Sequence, residues 1–171
     1  MQVVKAPDPR LRITTRPIKK ITTSLFQTLK DMIKLTKTFK DPEGVGLAAT
    51  QVGLTEKFFV AKFGNEFKAF INPEIISTSK TTKQYFEGCL SIPTVWGETQ
   101  RHISIKVRYT TVEGKVVEEQ LKGLKAWFFQ HEVDHLNGIL MPDRVMQSKG
   151  RFFKCTGKDK AGSDIFEEMV I

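Results

Sequence analysis

Two of the chain's three histidines stand four positions apart in QHEVDHLNG, residues 130–138, with a glutamate directly after the first. On a helix, residues i and i+4 lie one above the other, so His131 and His135 could each bring a ring nitrogen to about 2.0–2.1 Å from one metal ion. Glu132 lies off that axis by most of a quadrant or more. It is better placed to take a proton from metal-activated water than to bind the metal itself. The competing reading makes both histidines core residues bonded to backbone, the commoner fate of one buried histidine; the HExxH combination favours the metal.

Two histidines leave a catalytic centre one protein ligand short, because such centres usually supply three and keep a position open. Cys89, in YFEGCLSIP, is the candidate third ligand: it sits at a strand-to-loop boundary after Gly88, where a nearby cation would favour its thiolate. Cys155 follows the basic stretch SKGRFFK with no second ligand spaced around it and is expected to be structural or exposed. His102, in QRHIS, has no local partner and reads as a polar residue at a strand start. Another unusual stretch is GVGLAATQVG, residues 44–53. Its small residues let backbone approach closely, and Gln51 is its only side-chain amide donor, suited to a carbonyl oxygen gaining negative charge. It contains neither GxGxxG nor a Walker lysine, which argues against a phosphate loop.

These groups need elements to hold them. At about 100° per residue, Leu124, Trp127, Phe128, His131 and His135 share one helix face and Phe129, Val133 and Leu136 another, leaving Gln130, Asp134 and Asn137 as a polar stripe. A helix so apolar is buried, and Gly138 stands where a helix end favours a left-handed residue. A first amphipathic helix is predicted over Thr23–Phe39, with Leu25, Phe26, Leu29, Met32 and Ile33 at helical spacing and DPEG as its stop. KFFVAKF and FKAFIN flank the turn residues Gly64 and Asn65, while Ile103, Ile105, Val107 and Tyr109 alternate with polar residues. A hairpin around Gly114 follows, and Gly123 ends its last strand before the histidine helix. The expected fold is α+β, with antiparallel β-sheets packed around a central buried helix that carries HExxH. No repeat or linker divides the chain, so residues 1–171 are expected to form one catalytic domain, with a basic tail from about residue 144.

Lys and Arg number 27 against 19 Asp and Glu, a net charge of +8 that favours anionic partners such as RNA or ribosomes. Two cysteines are too few for a disulfide framework. MQVVKAPDPRLR lacks the apolar run of a signal peptide, and no stretch approaches the roughly 18 apolar residues of a membrane span. The expected location is the cytoplasm, or an organelle if a transit peptide was removed.

Taken together, GVGLAATQ at 44–51, EGCLS at 87–91 and QHEVDHLNG at 130–138 resemble the three signature motifs of peptide deformylases in order and approximate spacing. PDPRLR near the start is similar too, and the likeness extends to about Asp143. The resemblance implies removal of the formyl group from the N-terminal formylmethionine of newly made polypeptides, with release of formate. It implies Cys89, His131 and His135 as ligands of one divalent metal, Glu132 as acid and base, and Gln51 with the Leu90 backbone N–H as oxyanion donors. Family behaviour favours Fe2+, with Zn2+, Ni2+ or Co2+ in some preparations. The partners implied are nascent N-formylmethionyl polypeptides, with no membrane and no DNA.

The methionine side chain needs an apolar pocket, for which Val45, Gly46, Tyr85, Leu124, Trp127 and Phe128 are the candidates. Trp127 and Phe128 are bulkier than the residues common there in the family. An arginine that many relatives place soon after SIP is delayed here to Arg101, which either contacts substrate or pairs with Asp134. From Arg144 to Lys160 there are six basic residues and one acidic, a weak ribosome-contact candidate, and Gly157 and Gly162 argue for a solvated tail over a long helix. Two rivals stand beside deformylation. A zinc peptidase would take its third ligand downstream of HExxH, and a noncatalytic RNA-binding domain would close its metal site with four ligands.

Overall fold

The computed structural model describes residues 1–40 and 43–170. The predicted first helix forms as α1, Thr23–Thr38, with the Thr22 hydroxyl accepting from the Leu25 N–H at 3.2 Å. It buries Leu29, Met32 and Thr36, and Phe39 ends it. Phe26 stays 38% exposed. Asp41 and Pro42 of the expected stop signal lie outside the described residues.

Among the described residues, nine strands make two antiparallel sheets. The first contains β1 (Gly46–Ala48), β2 (Phe58–Phe63), β3 (Glu66–Thr78), β6 (Ser104–Thr110) and β7 (Val116–Lys122), in the order β1-β2-β3-β6-β7. The predicted turns at Gly64 and Gly114 both take positive φ, +72° and +81°. The second contains β4 (Thr82–Cys89), β5 (Ile92–His102), β8 (Phe152–Lys158) and β9 (Asp164–Met169), in the order β4-β5-β8-β9. Two further helices are α2 (Leu124–Leu136), which carries the histidines, and α3 (Met141–Gln147). Among the described residues no helix is long and apolar enough to cross a membrane.

The core sits where α2 meets the first sheet. Phe129 is fully buried and meets Phe59 and Phe70 edge-on at 5.1 and 5.4 Å. β2 lies in contact with both α1 and α2, which is why Phe58, Phe59, Val60 and Ala61 are all buried instead of alternating. Two residues of the polar stripe, Gln130 and Asp134, are buried as well. Gln130 brackets the edge of β5, accepting from the His102 N–H at 3.1 Å and donating to its carbonyl at 2.9 Å, while Asp134 pairs with Arg101. Only Asn137 of the three is exposed.

The C-terminal stretch corrects an expectation. It is no solvated tail: β8 and β9 form a hairpin that joins the second sheet through β5, pairing Trp96 with Phe153 and Gly97 with Phe152. Phe153 and Phe166 pack edge-on against Phe86 at 5.2 and 4.9 Å, and this aromatic burial is what the charge pattern concealed. The two glycines serve the hairpin. Gly162 takes positive φ in its turn, where the Asp159 carboxylate accepts from the N–H groups of Ala161 and Ser163, and Gly157 lies at a register slip in β8.

Phe129→Ala removes the ring at the centre of this core. Denaturant unfolding should show a loss of about 3 to 5 kcal/mol, and a loss under 1 kcal/mol would contradict the packing described.

Candidate metal centre

Cys89 reaches the centre of the fold because β4 slips register between Gly88 and Cys89, so that Cys89 pairs with Ile92 across a tight turn. Trp96 lies over Gly88, where a Cβ would meet its ring at 2.9 Å. The N-terminal segment ties this turn to the Gln51 loop: the Val4 N–H donates to Gln51 O at 2.7 Å and the Ala6 N–H to Ser91 O at 2.9 Å. Leu11 of PDPRLR anchors that segment, fully buried with Val4 and Leu140.

Cys89 Sγ stands 3.2 Å from His135 Nε2, and one donor atom each from Cys89, His131 and His135 lie within 4.8 Å of one another. His131 Nδ1 sits 2.9 Å from Glu87 Oε2. A hydrogen bond donated there leaves Nε2 with a lone pair for the centre, the arrangement that orients a metal-bound imidazole. One thiolate and two imidazoles suit a borderline divalent cation. Three side-chain donors make up the cluster among the described residues, and a catalytic metal held by three protein ligands would keep a further position for water or substrate. The residues therefore fit a catalytic metal. Burial pushes the Cys89 thiol up, but His135 and His131 beside it outweigh that and hold it well below its ordinary value.

Glu132 is buried on the same helix and its Oε2 has no hydrogen-bond partner. Gly46 makes room for it: a Cβ at that position would lie 2.1 Å from Glu132 Oε1. Burial raises the Glu132 carboxyl from its usual value to about 7, against the pull of the two histidines. Gln51 is fixed by its own loop. Its Oε1 accepts from the Ala48 N–H at 2.9 Å, which turns its amide nitrogen toward Ser91 Oγ at 3.1 Å and Cys89 Sγ at 3.5 Å.

A cleft of about 260 Å³ opens on this cluster. Of the expected lining, Val45, Gly46, Trp127 and Phe128 border it, together with Gln51, Cys89, Leu90, His131 and Glu132. Tyr85 and Leu124 do not. Leu124 shares the helix face of His131 but stands seven residues before it, about 10 Å along the axis, and is 60% exposed. Tyr85 points to the same side of β4 as Glu87 but one repeat away, and stacks on Trp127 at 4.6 Å.

Sequence reasoning missed Glu87, Phe86 and Trp96. Phe86 and Trp96 stack at 5.3 Å along the cleft wall. Glu87 accepts from Thr99 Oγ1 at 2.5 Å, from Arg101 at 2.6 and 2.9 Å and from Trp127 Nε1 at 2.8 Å. The signal available was an acidic residue inside EGCLS, flanked by aromatic and small residues that predict burial. Arg101 is 3% exposed and pairs with Glu87 and Asp134, so it does not line the cleft. Asp134 also pairs with Arg144, and both arginines hold its carboxyl below the usual range against the opposing effect of burial. His102 lies apart, its Nδ1 2.6 Å from Ser79 O.

Comparison with known proteins agrees with this geometry. The polypeptide deformylase family profile matches residues 1–151. The peptide deformylase of Thermotoga neapolitana is 46% identical over 142 residues, covering 83% of this chain and 85% of that one. The crystal structure of peptide deformylase from Thermotoga maritima superposes with a TM-score of 0.80 at 43% identity, covering 84% of this chain and 96% of that one. A peptide deformylase from Synechococcus elongatus in complex with actinonin gives a TM-score of 0.80 at 34% identity, covering 85% and 78%. With a metal-ready Cys-His-His cluster beside a buried glutamate, and this likeness over most of its length, the chain belongs to the polypeptide deformylase family.

Proposed function

We propose that this chain removes formyl groups through Cys89, His131 and His135 as ligands of one ferrous ion, with Glu132 as the proton carrier. The activity itself follows from the family: the chain is a metal-dependent hydrolase that removes the formyl group from newly made polypeptides. The observation that carries the assignment of residues is the convergence of three soft or borderline donors beside a partnerless buried carboxylate in an apolar cleft. When bound, the metal supplies Lewis acidity, lowering the pKa of water and polarising the formyl oxygen.

The chain's own groups do the rest. Glu132, raised to about 7, can take a proton from water and later give it to the departing amine nitrogen. Its unpaired Oε2 is the atom available for both transfers. The Gln51 amide and the Leu90 N–H would donate to the oxygen that gains charge, and Gln51 is held for this by its bond from Ala48. Val45, Trp127 and Phe128 would receive the methionine side chain, with the Gly46 backbone beside the peptide. The stacking of Trp127 on Tyr85 and its bond to Glu87 supports a narrow, rigid pocket.

The partners in this reading are nascent N-formylmethionyl polypeptides, in the bacterial cytoplasm or an organelle, with no role for membrane or DNA. The net charge of +8 supports a weak, salt-sensitive ribosome contact. The basic tail supplies less of it than its composition suggests, because Arg144 pairs with Asp134, Arg151 with Glu98 and Glu168, and Lys158 with Asp164.

Purification without oxygen, metal analysis and formate release from formyl-Met-Ala test the assignment together. Cys89→Ala and His135→Ala should lose the metal, whereas Glu132→Gln should keep it and lose turnover by about 10²-fold or more. Full metal content in both ligand variants would sink the assignment. Glu87→Gln weakens the hold on His131, and competition with a chelator should show metal affinity reduced about 10- to 100-fold; unchanged affinity would remove Glu87 from the account.

A further inference from the structure

Positive charge is concentrated in one part of the chain. Residues 16–40 hold seven basic residues against one acidic, Asp31, and so carry six of the eight net positive charges. Several cations elsewhere are neutralised at close range, Arg108 by Glu118, Arg151 by Glu98 and Lys158 by Asp164. On α1 the opposite holds. Among the described residues Lys30, Lys34 and Lys37 have no carboxylate partner, and Asp31 is taken up by the Gln27 amide at 3.0 Å.

All three lysines are exposed. At about 100° per residue they fall within about 60° of one another, on the arc of α1 turned away from Leu29, Met32 and Thr36. Lys30 and Lys37 stand about 10 Å apart along the axis, a length over which one strand of a duplex presents about three phosphates. The Lys37 ammonium also lies 5.6 Å from the centre of the Phe67 ring. The stripe ends beside the metal cleft. The Gly44 N–H donates to Phe39 O at 3.1 Å, and a Cβ on Gly44 would meet Thr36 O at 2.3 Å, so Gly44 is packed on the last turn of α1. Glu43 and Val45, on either side of it, line the cleft.

A row of lysines can meet the phosphates of RNA or of a lipid surface. A helix that lies on a membrane needs an apolar face to insert. The apolar face of α1 is already buried toward β1 and β2, and Phe26 is the one large apolar side chain that α1 exposes among the described residues. Newly made polypeptides, the substrates of the family, emerge from the ribosome, whose surface is rich in RNA. We propose that the Lys30–Lys34–Lys37 face of α1 is a docking surface for the phosphate backbone of duplex RNA, set beside the cleft mouth. It gives the ribosome contact a place on the molecule, and the choice of RNA rests on the deformylation reading.

The test is binding of a short fluorescein-labelled RNA duplex to the full metal-loaded chain, read by anisotropy, with formate release from formyl-Met-Ala measured in parallel. Between about 50 and 200 mM KCl the wild type should lose affinity about 50- to 150-fold, as expected for three or four phosphate contacts. The triple variant Lys30→Gln, Lys34→Gln, Lys37→Gln should bind at least about 30-fold more weakly at the lower salt, with its log–log salt slope reduced by about 3. Lys30→Arg, Lys34→Arg, Lys37→Arg should bind like the wild type. A control that removes as much charge elsewhere, Lys115→Gln, Lys154→Gln, Lys160→Gln, should stay within about threefold. Should the first triple fail to fold, Lys34→Gln alone should reduce the slope by about 1. No RNA binding by the wild type, or equal losses in the two glutamine triples, overturns the surface while deformylation stands. Binding to phosphatidylserine vesicles through the three lysines, without RNA binding, overturns it in favour of a membrane. Formate release should stay within about twofold in every variant, and its absence from the wild type overturns deformylation instead.

Discussion

Glu87 is an ionised carboxylate almost wholly removed from water, and it is tolerable there because both its oxygens are saturated with donors. Thr99 and Arg101 of β5, Trp127 and His131 of α2 all point at it. Burial alone would raise its pKa, but Arg101 and His131 outweigh that and hold it well below the ordinary range. The second sheet and the histidine helix are thereby joined at one point, and that point fixes which nitrogen of His131 faces the metal position. Arg101 extends the link to Asp134, and Asp134 to Arg144 on α3. A chain of buried charges with every member satisfied is costly to break at any link, since one lost partner strands another charge at about 3 to 5 kcal/mol.

The reactive groups follow from that frame and from close backbone approach. Gly46 lets β1 come against Glu132 without a side chain in its way, and the Oε2 of that carboxylate has no partner. The register slip after Gly88 turns Cys89 toward His135. Gln51 is braced by Ala48 from its own loop, and the N-terminal segment bonds to both Gln51 and Ser91. Three stretches far apart in sequence are thus held to one small volume by backbone hydrogen bonds, which suits chemistry that depends on position.

Much of this was legible in the sequence, for physical reasons. α1 and α2 announce themselves by helical periodicity and by caps, and the Gly64 and Gly114 turns by the positive φ that glycine permits. The i, i+4 spacing of His131 and His135 is a property of one helix and needs no tertiary knowledge. What stayed hidden depends on distant partners. Gln130 and Asp134 read as a polar stripe, and their burial is decided by β5, about thirty residues earlier in the chain. Leu124 has the right angle and the wrong depth, because a helical wheel discards the axial coordinate. The hairpin after Arg151 was masked by lysines and glycines, although Phe153 and Phe166 supply the aromatic contacts that hold it to Phe86 and Trp96.

Everything above turns on one cysteine and two histidines holding the metal with a position left for water. X-ray absorption at the edge of the metal bound by the anaerobically purified protein addresses it most directly. The account predicts a shell of one sulfur at about 2.3 Å, two imidazole nitrogens at about 2.0–2.1 Å and one further light atom from water. A shell without sulfur, or with two sulfurs, would contradict it.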